Sequence, residues 1–407
     1  MPSLVEQKLS DLDFWAKSQA ERDELFASLR ATQERVFCPV PDEPGFYALT
    51  RYEQVAEASR NPGVFSSEPT AVSLIDPSTQ MAEYSGSMIS MDDPRHARLR
   101  RVVSRSFTPR LIERVTGDVA SLARHIVEDL AERGPCDFVE HVATPMPLQI
   151  ICSMMGIPDS EFDDVIDATN LILAVGDPDH LDADGKDRAT SLAEKFSFLH
   201  ELMADLGRLR RKQPADDLVT ALTHANVEGE ALDDRDLGRF FSLLVIAGNE
   251  TTRNALSHAL VLLTDHPAQR ELLLADMDAR LPGAVEEIVR YATPVTWMRR
   301  TLTRDYELQG QMYRAGDRVI LYYNSANRDE NVFKDPYVFD ITRSPNPHLA
   351  FGAPGPHFCL GAHLARREVT VLLRELYARL PNLHATDAPV RQRTSFIHGI
   401  RSLPCAF

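Results

Sequence analysis

The stretch Phe351-Gly-Ala-Pro-Gly-Pro-His-Phe-Cys359-Leu-Gly361-Ala-His-Leu-Ala-Arg-Arg367 sets a cysteine between a Gly/Pro-rich loop and an amphipathic helix. Backbone N–H groups in such a loop and at a helix start point toward the sulfur, which stabilises a thiolate and lowers its pKa. Gly355 and Gly361 let the backbone come close to something flat and bulky, and Pro354 stiffens the loop. A thiolate held this way could be a nucleophile, a redox thiol or an axial metal ligand; the plain reading of a lone cysteine is a small buried hydrophobe. The other four cysteines, Cys38, Cys136, Cys152 and Cys405, are scattered and contain no CxxC pair. They suggest neither a disulfide framework nor a zinc site and are read as plain residues.

Three further groupings could do chemistry. Gly248-Asn249-Glu250-Thr251-Thr252 drops an acid and two alcohols into an apolar run, Phe240 to Ala247. A glycine inside a helix costs about 1 kcal/mol relative to alanine, and a buried unpaired carboxylate costs several more, so the insertion suggests a site. The plain reading is that Glu250 pairs with an arginine and the threonines bond the preceding turn. Glu287 and Arg290 lie three apart, and His96 and Arg100 four apart, so each pair shares one helical face.

The elements that must position these groups are mostly helices. Apolar residues recur at helical spacing over most of the chain, and strand-like alternation is confined to Phe46–Leu49, Trp297–Thr303, Arg318–Tyr323 and the C-terminal tail. Residues 236–264 predict one helix about 43 Å long, and Phe240 to Ala247 predicts burial on every side. No repeat or Gly/Ser linker divides the chain, so the expectation is a mainly α fold with small β-sheets and a single domain over 1–407.

The cysteine stretch resembles the haem-binding loop of the cytochrome P450 monooxygenases. That resemblance implies haem b (iron protoporphyrin IX) held between a long central helix and the Cys359 loop, with Cys359 as the iron's axial ligand. It implies that Ala247 and Gly248 leave room over the haem, that Thr251 holds dioxygen by a hydrogen bond and that Glu250 relays protons. Glu287, Arg290 and Arg343 match the family's buried Glu-Arg-Arg network. His96, Arg100, Arg300 and His357 match residues that contact haem propionates, and Gly361 follows the ligand as in the family's loop. One departure concerns Phe351, which stands eight residues before the cysteine where the common loop has its aromatic at seven. Its ring is therefore expected to sit differently.

The chain has 407 residues, 43% hydrophobic and 26% charged, an ordinary globular composition. A formal charge of -16, from 60 acids against 44 Lys plus Arg, argues against binding nucleic acid or anionic membranes. No long apolar run suggests a membrane anchor, and the expected location is the cytoplasm. The sequence has no GxGxxG loop, so electrons are expected from a ferredoxin and its reductase. The arginine-rich segment Arg95–Arg114, with Arg366 and Arg367, is the expected docking face. The rival readings are a peroxygenase of the same fold, disfavoured by the acid and alcohol pair, and a haem-binding sensor, which would need no proton relay.

By resemblance the substrate pocket is walled by Met88, Ile89, Leu243, Val295, Trp297, Phe396 and Ile397. Their apolar character predicts an apolar small-molecule substrate. AGNETTRN, PVTWMRR and FIHGI look most like the actinobacterial branch that hydroxylates branched lipids and steroids.

Overall fold

The computed structural model describes residues 8–32, 34–78, 86–173, 188–225, 232–352 and 354–407. Ala353 of the cysteine loop and the first seven residues, part of the segment searched for a signal core, lie outside the described residues. The helices begin and end where local chemistry dictates. Ser18 and Glu21 form a reciprocal capping box at Gln19–Ala31, Thr108 caps Pro109–Arg133, and Asp233 caps Asp234–Asp265 through the N–H of Asp236. This last helix is the expected central one, and its 32 residues span about 48 Å. No described helix is long and apolar enough to cross a membrane.

The central helix packs most extensively on Arg188–Lys212, and it also touches Pro145–Met155, Met277–Ala292 and Ala362–Arg379. Small residues let the long helices cross closely. A Cβ at Gly238 would lie 2.9 Å from the ring of His200, so only glycine fits there without a shift.

A mixed five-stranded sheet runs in the order Val36–Val40, Glu43–Leu49, Arg318–Tyr322, Trp297–Leu302, Phe65–Ser66. Glu43–Leu49 pairs parallel with Arg318–Tyr322 and the other neighbours are antiparallel. The tail supplies Ile400–Ser402, paired with Val390–Arg391, and Pro404–Ala406, which lies between Cys136–Asp137 and His384–Ala385. All four sequence-predicted strand regions are strands here. Val36–Val40 escaped prediction because Pro39 and Cys38 break its alternation.

The largest core cluster joins the helices. A second lies between the sheet and helix Tyr52–Arg60, and a third is an aromatic cluster of Phe14, Trp15, Phe26, Trp297 and Tyr322.

Candidate active site

Cys359 stands just before helix Ala362–Arg379, whose N-cap is Gly361. It is the exposed one of the five cysteines, whereas Cys38, Cys152 and Cys405 are buried. Its N–H donates to the carbonyl of Phe351 at 2.8 Å. The sequence predicts a lowered thiol pKa, and the protein alone gives the opposite. Although Cys359 is open on one side, the protein packed around its other sides desolvates the thiol and pushes its pKa up, and the Gly361 N–H, Arg100 and Arg366 oppose that without overcoming it. A cation at the sulfur would reverse this balance.

Phe351 is fixed at both ends. Its carbonyl takes the Cys359 N–H, and the Arg366 guanidinium lies over its ring, 4.2 Å from the centroid. Arg366 in turn is held by Glu286 at 2.5 and 2.9 Å, so it is a structural partner of the loop and not the free docking charge expected from the sequence. Gly355 presses on helix Tyr52–Arg60: a Cβ there would sit 2.3 Å from the Ser59 carbonyl oxygen. The close approach it permits is to backbone and not to a cofactor. At Gly361 a Cβ would meet nothing within 4 Å.

Four nitrogen-bearing side chains gather beside the loop. His96 and Arg100 share helix Arg95–Ser106; His96 is 2% exposed, and its ring stacks on His357 at 4.0 Å. Arg100 Nη2 donates to the carbonyl of Phe358 at 2.5 Å, and His357 Nε2 meets Ser67 Oγ at 3.1 Å. Arg300, 5% exposed, donates to the Arg299 carbonyl and has no carboxylate within ion-pair range among the described residues. Burial, with Arg300, His96 and Arg100 close by, drives the His357 pKa down to about 3. Arg100 and Arg300 carry the cluster's positive charge, and Asp93 lies 3.6 Å from His96 Nδ1.

The central helix is buried along most of its middle, but one stripe opens: Ala247 is exposed, and Leu243, Leu244, Gly248 and Thr251 are half-buried. Burial all round, expected from the sequence, is therefore wrong for this face. Apolar side chains can line a cleft as readily as fill a core, and composition does not separate the two. Thr251 Oγ1 donates to the Ala247 carbonyl at 2.7 Å on this stripe, whereas Thr252 is buried. Gly248 lies on the open stripe and also abuts a neighbouring helix. A Cβ there would meet Ile151 Cδ1 at 2.9 Å, so its missing side chain admits helix Pro145–Met155.

Glu250 is buried and does have an arginine. Its Oε1 accepts from Arg253 Nη2 at 2.5 Å and from Asn254 Nδ2 at 2.8 Å, while Oε2 is buried without a partner. Asn254 Oδ1 accepts the N–H of Ile400 at 2.9 Å, tying the acid to the C-terminal tail. The helix alone could have revealed Arg253 and Asn254, three and four residues on; the Ile400 link has no local signal.

Glu287 and Arg290 are fully buried and bidentate, at 2.7 and 2.8 Å. Arg343 Nε donates to the same carboxylate at 3.2 Å, and Asn346 Nδ2 and the Asp340 N–H are its further donors. Arg290 and Arg343 also donate to carbonyls of Asn327, Pro336, Val338, Lys334 and Asp335, so the network pins the segment leading to the cysteine loop.

Of the pocket residues, Val295 and Ile397 face each other as an isolated β-bridge and are half-buried, as are Ile89 and Leu243. Met88 is buried in the helical core, beside a crevice it shares with Leu99 and Phe240. Trp297 does not fit the pocket reading. It is 2% exposed in the aromatic core, 5.0 Å from the ring of Phe396 and in one cluster with Tyr322. Its strand turns that large ring toward the core of the N-terminal helices.

The family described as Cytochrome P450 matches residues 13–380. The chain belongs to that family. It is 46% identical to the methyl-branched lipid omega-hydroxylase of Mycobacterium tuberculosis H37Rv, over 98% of this chain and 94% of the relative. It is 40% identical to the steroid C26-monooxygenase of Rhodococcus jostii, over 92% and 80%. Its fold matches that of Mycobacterium marinum cytochrome P450 CYP268A2 in complex with pseudoionone, with a TM-score of 0.92, 42% identity and 98% of each chain covered.

This cytochrome P450 is a monooxygenase, and its residues fit a haem. A thiol opens beside the Gly361 N–H, and Arg300 is a buried guanidinium lacking an acid, with His96, Arg100 and His357 close enough to share an anionic edge. Cys359 would hold the iron, and the four nitrogen side chains would hold the propionates. When bound, the haem supplies the activation of dioxygen. The chain's own residues surround that chemistry: apolar side chains on the open stripe exclude water, and the Thr251 hydroxyl can donate or accept there. Glu250, one residue before Thr251, keeps its Oε2 without a hydrogen-bond partner.

Proposed function

We propose that this cytochrome P450 hydroxylates a branched fatty acid, terpenoid or sterol side chain at or near a terminal carbon. The observation that carries the reading is the open stripe of Leu243, Leu244, Ala247 and Gly248 leading to Thr251 on an otherwise buried helix. Such a wall binds by hydrophobic transfer, at about 0.8 kcal/mol per buried CH₂, and needs no charged anchor. The names of the relatives, a methyl-branched lipid omega-hydroxylase and a steroid C26-monooxygenase, support the same class.

The reading takes haem b as the cofactor, Cys359 as its ligand, Thr251 and Glu250 as the proton-handling pair, and residues 1–407 as one working unit in the cytoplasm. Electrons come from a ferredoxin and its reductase, docking on the arginine-rich face of residues 95–114. Within it Arg110 pairs with Asp216 at 3.0 Å and Arg95 with Asp236 at 3.9 Å.

The test is a spectral titration of purified holoprotein with branched fatty acids, sterols and small polar compounds, followed by turnover with a ferredoxin system. Saturable shifts and hydroxylated product with the lipids are expected. Shifts with polar compounds alone would overturn the substrate class.

A further inference from the structure

Cys136 and Cys405 are 269 residues apart in sequence and directly opposite in space. They are register partners where Cys136–Asp137 pairs antiparallel with Pro404–Ala406. Directly opposed residues in such a pair have Cα atoms about 4.5–5.5 Å apart, inside the roughly 4.4–6.8 Å that a disulfide spans. The two thiols lie close enough for each to shift the other's pKa, as direct register partners must. Cys405 is buried and Cys136 half-buried, so Cys136 is the more accessible of the two. Both are free thiols here.

The surroundings hold this register firmly. Phe138 N–H donates to the Leu403 carbonyl at 2.8 Å, and Asp137 accepts from Ser402 Oγ at 2.5 Å and from Leu403 N–H at 3.0 Å. The tail that carries Cys405 also carries Ile397 of the pocket bridge and Ile400, whose N–H reaches Asn254 and so Glu250.

We propose that Cys136 and Cys405 are a reversible disulfide site that locks the C-terminal tail to the strand after helix Pro109–Arg133. The oxidant is a low-molecular-weight disulfide. The Cys136 thiolate attacks one sulfur of that disulfide, its S–S bond breaks, and one small thiolate leaves. Cys405 then loses its proton, its sulfur attacks the Cys136 sulfur, and the second small thiolate leaves. Two protein thiols are oxidised and one small disulfide is reduced to two thiols, which carry away the two protons. Burial raises both thiol pKa values, Cys405's to about 12, so little thiolate forms and exchange at this pair is slow.

The test uses holoenzyme incubated with oxidised glutathione, alkylated, digested without reductant and read by mass spectrometry. The expected result is a Cys136–Cys405 peptide pair as the dominant intramolecular cross-link. The thermal midpoint should rise by about 3 °C, because the link closes a long loop, and return on adding dithiothreitol. Cys136→Ser should abolish both the cross-link and the shift, and Cys405→Ala serves if that variant folds poorly. A stable glutathione adduct on Cys136 without closure, or Cys405 still fully alkylated after unfolding the oxidised protein, would overturn the proposal.

Discussion

The N–H of Cys359 donates to the carbonyl of Phe351, closing the loop between them on itself at 2.8 Å. Because that bond is backbone to backbone, it does not depend on the cysteine's sulfur. The loop's shape and the sulfur's chemistry can therefore be separated.

Cys359→Ser should leave the fold and much of the protein's stability unchanged while removing thiolate ligation. The measurement is the absorption spectrum of the reduced carbon monoxide complex, which should lose its red-shifted band. An unchanged spectrum in Cys359→Ser would assign the ligand elsewhere.

Glu287→Ala leaves Arg290 and Arg343 buried without their common acceptor. Breaking a buried pair in this way typically costs about 3–5 kcal/mol. The expected outcome is little soluble holoprotein, seen as a large fall in haem content and in the thermal midpoint. Glu287→Gln, which keeps an acceptor oxygen, should fall between the two.

Thr251→Ala should leave substrate binding intact but lower product formed per dioxygen consumed, since its hydroxyl lies on the open stripe. Thr252 is buried about 100° round the helix. Thr252→Ala should change stability more than coupling. Simultaneous assays of oxygen consumption and product decide between the two threonines.

Gly355→Ala would drive a Cβ into the Ser59 carbonyl, and backbone lies on both sides of the contact. Overpacking of this kind costs about 1–3 kcal/mol. Lower haem retention on dilution is expected, because the loop that carries Cys359 must lift from helix Tyr52–Arg60. Equal retention in the variant and the parent would show that the loop is not braced there.

Glu286 gives a pH signature. Burial alone would raise its pKa, but hydrogen bonds from Arg366 and His348 prevail and hold it at about 2, below the usual 4.5. A carboxylate with a depressed folded pKa stabilises the native state fully above its unfolded value. That stability is lost as pH falls from about 4.5 toward 2. Thermal midpoints of the wild type should therefore fall more steeply through this window than those of Glu286→Gln. Parallel curves would remove Glu286 from the account.

The sequence by itself determined whatever depends on neighbours along the chain. Helix periodicity drew the central helix to within two residues of its bounds, and the three-residue step put Glu287 beside Arg290. A loop-to-helix junction marked Cys359. The same short-range logic covers Arg253 on Glu250, since both sit on one helical face.

Only the tertiary structure decided which apolar side chains line a cleft and which fill a core, because both environments select the same residue types. Trp297 went to the aromatic core and Leu243 to the open stripe. Tertiary docking also set the meaning of Gly248, against Ile151, and of Gly355, against Ser59: a missing Cβ records that something comes close but not what. Asn254 with Ile400 and Cys136 with Cys405 were joined in the same way. Each pair is more than a hundred residues apart in the chain, so no local propensity or spacing encodes the contact, and only the packing of the tail against the helices creates it.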